Sequence, residues 1–269
     1  MRTSTMKYAN GNRLVWVIVA LGLSAAGCHD PSEAGLDQGY AALEQSRYDE
    51  AVAAADRYLR EKPQGRGAAE AMYLRGRAIE QRVKRDDAEV AANLRQAKAQ
   101  YLQALELSPS KGLEAYIHTS LGNVCYWLGD FGGAASYWKE AYQRLDRGDL
   151  KGWVLYRIGL CQQRLGKWMD ADGTFAMVQR EFAGSEAAER AQSRRGYRGF
   201  YVQVAAFASS GSADKLAKEL RGKGFLAVVQ ERPERKLYVV LCGPVQTYGD
   251  ALGVKGRLSS QFKDALIVP

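Results

Sequence analysis

The residues best suited to chemistry are few in this chain of 269, which holds two histidines and four cysteines. His29 adjoins Cys28, and His118 falls in a helical stretch at a place suited to packing. No CxxC motif and no Cys/His cluster occurs, so no zinc site is expected. Walker A and GxGxxG motifs are also absent. The pair Asp86-Asp87 lies in a charged segment and reads as a solvated loop. A hydrolase needs placed acids, a nucleophile with a base, or a metal. The expectation is therefore no enzyme, no cofactor and no metal. What remains is one thiol after an apolar run, aromatic side chains at helical spacing, and amides and aliphatics at strand spacing.

Composition fits that reading. Apolar residues make up 46% and charged residues 25%, which excludes a wholly disordered or polytopic membrane chain. The net charge is +8, but its placement matters more. Residues 1–28 carry three cations and no acid, and residues 199–269 carry ten cations and six acids. The middle, with 25 cations and 24 acids, is almost neutral. A chain-wide nucleic-acid footprint is absent, and no nucleic-acid partner is expected.

Arg2, Lys7 and Arg13 precede an apolar run from Leu14 to Ala26. As a helix this run would rise about 20 Å, too short for a hydrocarbon core of about 30 Å. A basic start, a short apolar stretch and small residues make a secretory signal. The run ends Leu23-Ser24-Ala25-Ala26-Gly27-Cys28, which resembles the bacterial lipobox. That resemblance implies cleavage after residue 27 and lipidation of Cys28. The pattern prefers Leu three places before the Cys, where this chain has Ala25. His29 in place of Asp implies, by resemblance to lipoprotein sorting, outer-membrane residence facing the periplasm. A single acylated terminus tethers a soluble body to a membrane surface. Residues 28–31 would be the anchor linker. Cys125, Cys161 and Cys242 lie in apolar periodic stretches and read as buried small hydrophobes, with at most one internal disulfide.

Residues 32–192 repeat. Gly122, Gly129, Phe131, Ala134 and Trp138 recur as Gly159, Gly166, Trp168, Ala171 and Phe175, all at an offset of 37. Two earlier copies are marked by Gly39, Tyr48, Ala51, Ala55 and Pro63, and by Gly76, Ala97, Tyr101, Ala104 and Pro109. The second carries nine additional residues within Glu80–Asn93, which must form a loop or longer helices. The pattern resembles the tetratricopeptide repeat, a stacked helical pair of about 34 residues. Small residues let paired helices approach, and the aromatics are expected to fill gaps between neighbouring pairs. Ser185 reads as the N-cap of a terminal helix with Ala187, Ala188 and Ala191 on one side. The resemblance implies a concave face lined by first helices, presenting Tyr116, Thr119, Asn123, Tyr126, Trp127, Trp153 and Tyr156 to an unidentified protein or peptide. In that family an Asn at the place of Asn123 often holds a peptide backbone.

The periodicity changes at Gly199, after a basic linker over 193–199. Phe200–Phe207 reads as a strand. Ser212 is expected to cap a helix that Gly224 ends. Strands follow at Phe225–Gln230 and Lys236–Cys242, joined by a polar hairpin. Thr247 caps a helix through Leu258, and Ala265–Val268 is the last strand. The order is βαββαβ: a four-stranded antiparallel sheet with two helices on one face. The whole fold is thus an α-helical array plus a small α+β domain over 200–269. "FYVQVAAF", Gly224-Phe225 and "LYVVLCGPV" resemble the SPOR (sporulation-related repeat) domain. That family binds peptidoglycan, especially glycan strands stripped of stem peptides, on the open face of its sheet.

Strand alternation then assigns faces. Val202, Val204, Tyr238, Val240 and Cys242 should point at the helices. Tyr201, Gln203, Leu237, Val239, Leu241 and Ile267 should face outward. The resemblance adds Ala206, where the family often has Ser. It implies glycan contacts for Gln203 and Ile267. The family often has Arg at Val239 and an aromatic near Leu237, so the hydrogen-bond donors it carries at Ala206 and Val239 are missing here. The expected function is a non-enzymatic envelope lipoprotein that binds denuded septal glycan and recruits an envelope protein. The alternative is an outer-membrane assembly or secretion scaffold, with the sheet domain as a passive wall tether.

Overall fold

The computed structural model describes residues 31–82 and 86–269. The apolar run ending at Cys28 lies outside the described residues. No described helix is long and apolar enough to cross a membrane. The chain divides between Lys151 and Gly152 into two compact units.

Among the described residues, the first unit contains three helix pairs. These are α1 (Pro31–Glu44) with α2 (Tyr48–Glu61), α3 (Ala68–Gln81) with α4 (Asp87–Glu106), and α5 (Lys111–Trp127) with α6 (Phe131–Arg144). Glycine positions show how each pair closes. A Cβ on Gly76 would stand 2.6 Å from the Tyr101 ring, and one on Gly122 would overlap the Trp138 ring. Trp138 is 1% exposed and donates Nε1–H to the Thr119 carbonyl at 3.2 Å. These rings therefore sit inside their own pairs. The expectation that Trp138 and Phe175 bridge neighbouring pairs is corrected: the glycine opposite each ring lets it drop between paired helices. Six of the nine additional residues of the second copy go into helix. α4 runs 20 residues against 14 in α2 and α6, and starts on Asp86, whose carboxylate accepts Glu89 N–H at 2.9 Å.

The second unit opens with α7 (Asp149–Arg164), most of which lies beyond the division, then α8 (Trp168–Glu181) and α9 (Glu186–Arg194). Ser185 caps α9 through Ala188 N–H at 3.2 Å, and Ala187, Ala188 and Ala191 are buried. The sheet domain follows as β1 (Phe200–Phe207), α10 (Ser210–Gly222), β2 (Ala227–Arg232), β3 (Leu237–Val245), α11 (Tyr248–Leu258) and β4 (Leu266–Val268). A 3-10 turn over Pro233–Arg235 joins β2 to β3. The sheet order is β2-β3-β1-β4 with every neighbour antiparallel.

Local chemistry sets these boundaries. α10 starts at Ser210, two residues before the expected cap Ser212, and Ser209 occupies the N-cap without a side-chain bond. It ends in a Schellman motif: Phe225 N–H reaches the Leu220 carbonyl and Gly224 N–H reaches that of Arg221. Gly224 has φ +83°, the left-handed region that glycine enters freely. Thr247 and Asp250 form a capping box, which starts α11 despite its three glycines. β2 begins two residues later than expected: Phe225 N–H is taken by the turn that ends α10, and Leu226 only accepts Gly243 N–H from β3.

The segment expected as a linker is bound along its length. Gln163 Nε2–H donates to the Arg194 carbonyl at 2.7 Å. Gly196 N–H and Arg198 Nη1–H both reach the Asp172 carboxylate, at 3.0 and 2.7 Å. Trp168, at the start of α8, packs at a tilt of 56° against Phe200 of β1 with centroids 4.9 Å apart. Its Nε1–H donates to the Gln246 carbonyl at 3.1 Å, and Gln246 Nε2–H returns to the Gly166 carbonyl at 2.8 Å. The Arg164 guanidinium lies 3.8 Å from the Tyr248 ring centroid. Trp168 belongs to the same buried cluster as Val202, Leu220, Val240 and Ala251.

Candidate functional site

The core of the sheet domain shows which face its two helices cover. Val202, Ala227, Val240 and Cys242 are buried against Ala213, Ala217 and Leu220 of α10 and Ala251 and Leu258 of α11. Both helices pack on that side. The strand partners then map the opposite face as rows. Val268 and Tyr201 pair in the first row, which continues through Gly243 to Leu226. Leu266, Gln203, Leu241 and Val228 form the second, and Ala206, Val239 and Gln230 the third. Leu237 and Arg232 form the fourth.

A β-bulge gives this face its chemistry. In β1 the register shifts between Gln203 and Ala205, so Ala205 pairs with the inward Val240 and Ala206 with Val239. Strict alternation would have put Gln203 and Ala206 on opposite faces; the extra residue puts them on one. At the other end the Tyr201 ring lies against Gly243, where a Cβ would stand 3.0 Å from its Cδ1. Gln203 offers an amide donor and acceptor between Leu266 and Leu241.

Six of the seven residues expected on this face are therefore together: Tyr201, Gln203, Ala206, Leu237, Val239 and Leu241. Ile267 is a correction. It pairs with the inward Val202 and packs against the core, because the register places Leu266 and Val268 outward instead. Val239 and Leu241 are only 5% and 4% exposed, being central in the sheet and flanked by side chains of β1 and β2. The accessible aliphatics are those that sequence reasoning missed: Leu226 (71% exposed), Val228 (43%) and Leu266 (57%). Alternation along Ala227–Arg232 carried the signal for Val228, Gln230 and Arg232. The short last strand carried none for Leu266.

The helical residues divide between the units. In the first, Trp127 is half exposed, while Tyr116 and Asn123 are half-buried. Tyr126 is also half-buried, among the rings of Trp127, Phe131 and Trp138. Burial pushes the Tyr116 hydroxyl pKa up. Thr119 is a correction: it is buried, its hydroxyl donates to the Ala115 carbonyl at 2.8 Å, and its own carbonyl accepts from Trp138. In the second unit Trp153 lies beneath the Arg190 guanidinium at 5.3 Å. Tyr156 is the other correction, buried against the Phe175 ring that Gly159 admits.

Sequence reasoning also missed a polar network inside the first unit. Arg77 Nη1–H donates to the Tyr73 hydroxyl at 2.9 Å, and the Tyr101 hydroxyl donates to Glu80 at 2.5 Å. Burial, then the Glu80 charge, holds the Tyr101 hydroxyl well above the ordinary tyrosine range. Cys125, Cys161 and Cys242 are free thiols, all buried.

Among the described residues, the structure defines helical repeats and a small sheet domain whose two helices leave one face of the sheet uncovered. Comparison with protein families gives those parts their names. Residues 196–269 match the SPOR domain, residues 153–185 a tetratricopeptide repeat, and residues 28–110 the YfiO outer membrane lipoprotein family. All three are binding or scaffold modules. No curated protein matches the chain. Among solved structures, one match is YrrB, a TPR protein with an unusual peptide-binding site. It has 18% identity and a TM-score of 0.45, over 59% of this chain and 75% of that one. TTC0263, a TPR protein from Thermus thermophilus, has 18% identity and a TM-score of 0.39, over 61% and 98%. MamA has 14% identity and a TM-score of 0.46, over 62% and 84%.

Proposed function

We propose that this protein is a lipid-anchored envelope protein that grips peptidoglycan glycan with the open face of its SPOR domain. Residues 1–27 are the signal, Cys28 carries the lipid, and residues 28–31 lead into repeats over 32–192. The SPOR domain occupies 200–269. Tyr116, Asn123 and Trp127 contact a protein partner of the repeats. The protein carries out no covalent chemistry. It works by holding a partner near the wall, where linked sites raise effective concentration.

One observation carries this reading: α10 and α11 both cover the same side of the sheet, and the other side gathers Gln203 with accessible aliphatics. Amides suit sugar hydroxyls and acetamido groups. Aliphatic side chains suit the C–H faces of sugar rings. The proposed ligand is glycan stripped of stem peptides, enriched at the division septum. The test is co-sedimentation of the purified protein with wall sacculi before and after amidase digestion. Retention should rise after digestion and fall in Gln203→Ala. Equal retention on both sacculi rejects the preference, and unchanged retention of the variant rejects the placement of the site.

The match of residues 28–110 to an outer membrane lipoprotein family favours a second reading. In it the repeats scaffold outer-membrane assembly and the SPOR domain is a tether. A fluorescent fusion separates the two: mid-cell foci support the first, and an even rim supports the second.

A further inference from the structure

The open face has a charge pattern that the fold alone does not require. Its four rows hold Val268, Tyr201, Gly243 and Leu226; Leu266, Gln203, Leu241 and Val228; Ala206, Val239 and Gln230; Leu237 and Arg232. No carboxylate stands in any row. One cation does, at the end of β2 nearest the 3-10 turn. The acids nearest in sequence are turned elsewhere: Glu231 pairs with Tyr238, which packs on the helix side, and Glu234 is exposed in the 3-10 turn. Among the described residues Arg232 makes no ion pair, and its side chain is only part-buried.

A ligand for this face must be mostly uncharged, with apolar ring faces, hydroxyls or amides for Gln203 and Gln230, and an anion placed to one side. Resting on the glycan reading above, that requirement selects a particular group. Each N-acetylmuramic acid bears a lactyl group. While a stem peptide is attached, that group ends in a neutral amide. Hydrolysis of the amide leaves a carboxylate on the sugar. We infer that Arg232 binds this lactyl carboxylate and so makes the domain sensitive to whether the peptide has been removed. A guanidinium suits the task because its planar fork can meet both carboxylate oxygens at once. Arg232 stands one row beyond Val239 on the neighbouring strand, so it supplies a cation to a face whose β3 positions hold no charged side chain.

The contribution is modest, since exposed ion pairs are weak and bidentate charged hydrogen bonds stronger; roughly three- to tenfold in affinity is expected. The experiment measures binding of the purified full chain to three probes. The first is glycan strands from amidase-digested wall. The second is the same strands with their carboxylates capped as methylamides by carbodiimide and methylamine. The third is chitin oligosaccharide, which keeps the N-acetylated backbone and lacks the lactyl group. The native chain should bind the free-carboxylate strands roughly three- to tenfold tighter than the capped ones. R232Q should bind both strands as the native chain binds the capped ones, and R232K should keep part of the preference. Equal binding of free and capped strands by the native chain overturns the inference. So does a preference that survives in R232Q. In both cases binding itself persists and the glycan reading stands. Binding to none of the three probes overturns that reading and this inference with it.

Discussion

Replacing Gly159 by Ala adds one methyl group, and the structure says where it must go. The new Cβ would lie 2.5 Å from Cε1 of Phe175, 2.9 Å from Cδ1 and 3.0 Å from Cζ. Phe175 is fully buried, and the Tyr156 ring lies 5.7 Å away, so the phenyl ring has no easy retreat. Helix propensity pulls the other way, favouring Ala over Gly by about 0.8–1.0 kcal/mol. Overpacking costs about 1–3 kcal/mol, and complete expulsion of a Phe about 3–5 kcal/mol. Net of that gain, strain costs about 0–2 kcal/mol if the ring shifts and about 2–4 kcal/mol if it is expelled; a Cβ only 2.5 Å from a fully buried ring sets the expected cost at about 1–4 kcal/mol. In a unit of this size that lowers the unfolding midpoint by about 4–15 °C. Gly173 supplies the control within the same helix pair. It is exposed, and a Cβ there meets nothing within 4 Å. Gly173→Ala should express only the propensity gain and raise the midpoint by a few degrees. Thermal unfolding followed by circular dichroism reads both. If Gly159→Ala melts at or above the native midpoint, the account of how the ring seats between paired helices is wrong.

Trp168→Ala should cost about 3–5 kcal/mol and increase hydrogen exchange at the start of α8 and at Gln246 together. Trp168→Phe keeps an aromatic ring and loses the hydrogen bond to Gln246, so it should cost about 1–2 kcal/mol. Native exchange at Gln246 in Trp168→Ala would sink the account of that contact. His118 predicts a pH effect. Burial first, then the Arg144 charge, holds its imidazole below the ordinary value of 6.5. The unfolded chain therefore binds the proton more readily than the folded one. Stability should fall as pH drops through 6.5 and level off below the lowered folded value. His118→Gln should flatten that part of the profile, read as urea midpoints from about pH 7.5 down to about pH 5. A profile identical to that of the native chain would show that His118 titrates normally.

Much of the fold was legible because its signals are local. Gly224, Thr247 and Ser185 mark helix ends through hydrogen bonds with near neighbours in sequence, and those ends appear where the residues indicate. The Gly122–Trp138 and Gly159–Phe175 pairs were visible as a recurring spacing. What remained illegible depends on partners distant in sequence. The face of Ile267 is fixed by its register against Val202, far earlier in the chain, and three residues of strand give too short an alternation to announce it. Ala206 shares a face with Gln203 only because of a bulge, which no residue type there signals. Thr119 and Tyr156 look like surface-facing polar and aromatic groups until the rings of α6 and α8 are placed over them. Trp168 is illegible for the same reason. Its repeat position suggested a neighbouring helix pair, whereas the surface it meets is the first strand of the next domain.

That last contact bears on how deletion phenotypes should be read. Cutting the gene at residue 199 strips Trp168 of the Phe200 ring and of the Gln246 carbonyl that accepts its Nε1–H. The remnant then exposes an indole at the very edge of the repeat it was meant to preserve. Conversely, an excised carboxy-terminal piece loses the ring that shields Phe200. Loss of activity after either truncation reports damage to both halves. Only point substitutions on the open sheet can separate the contribution of one from that of the other.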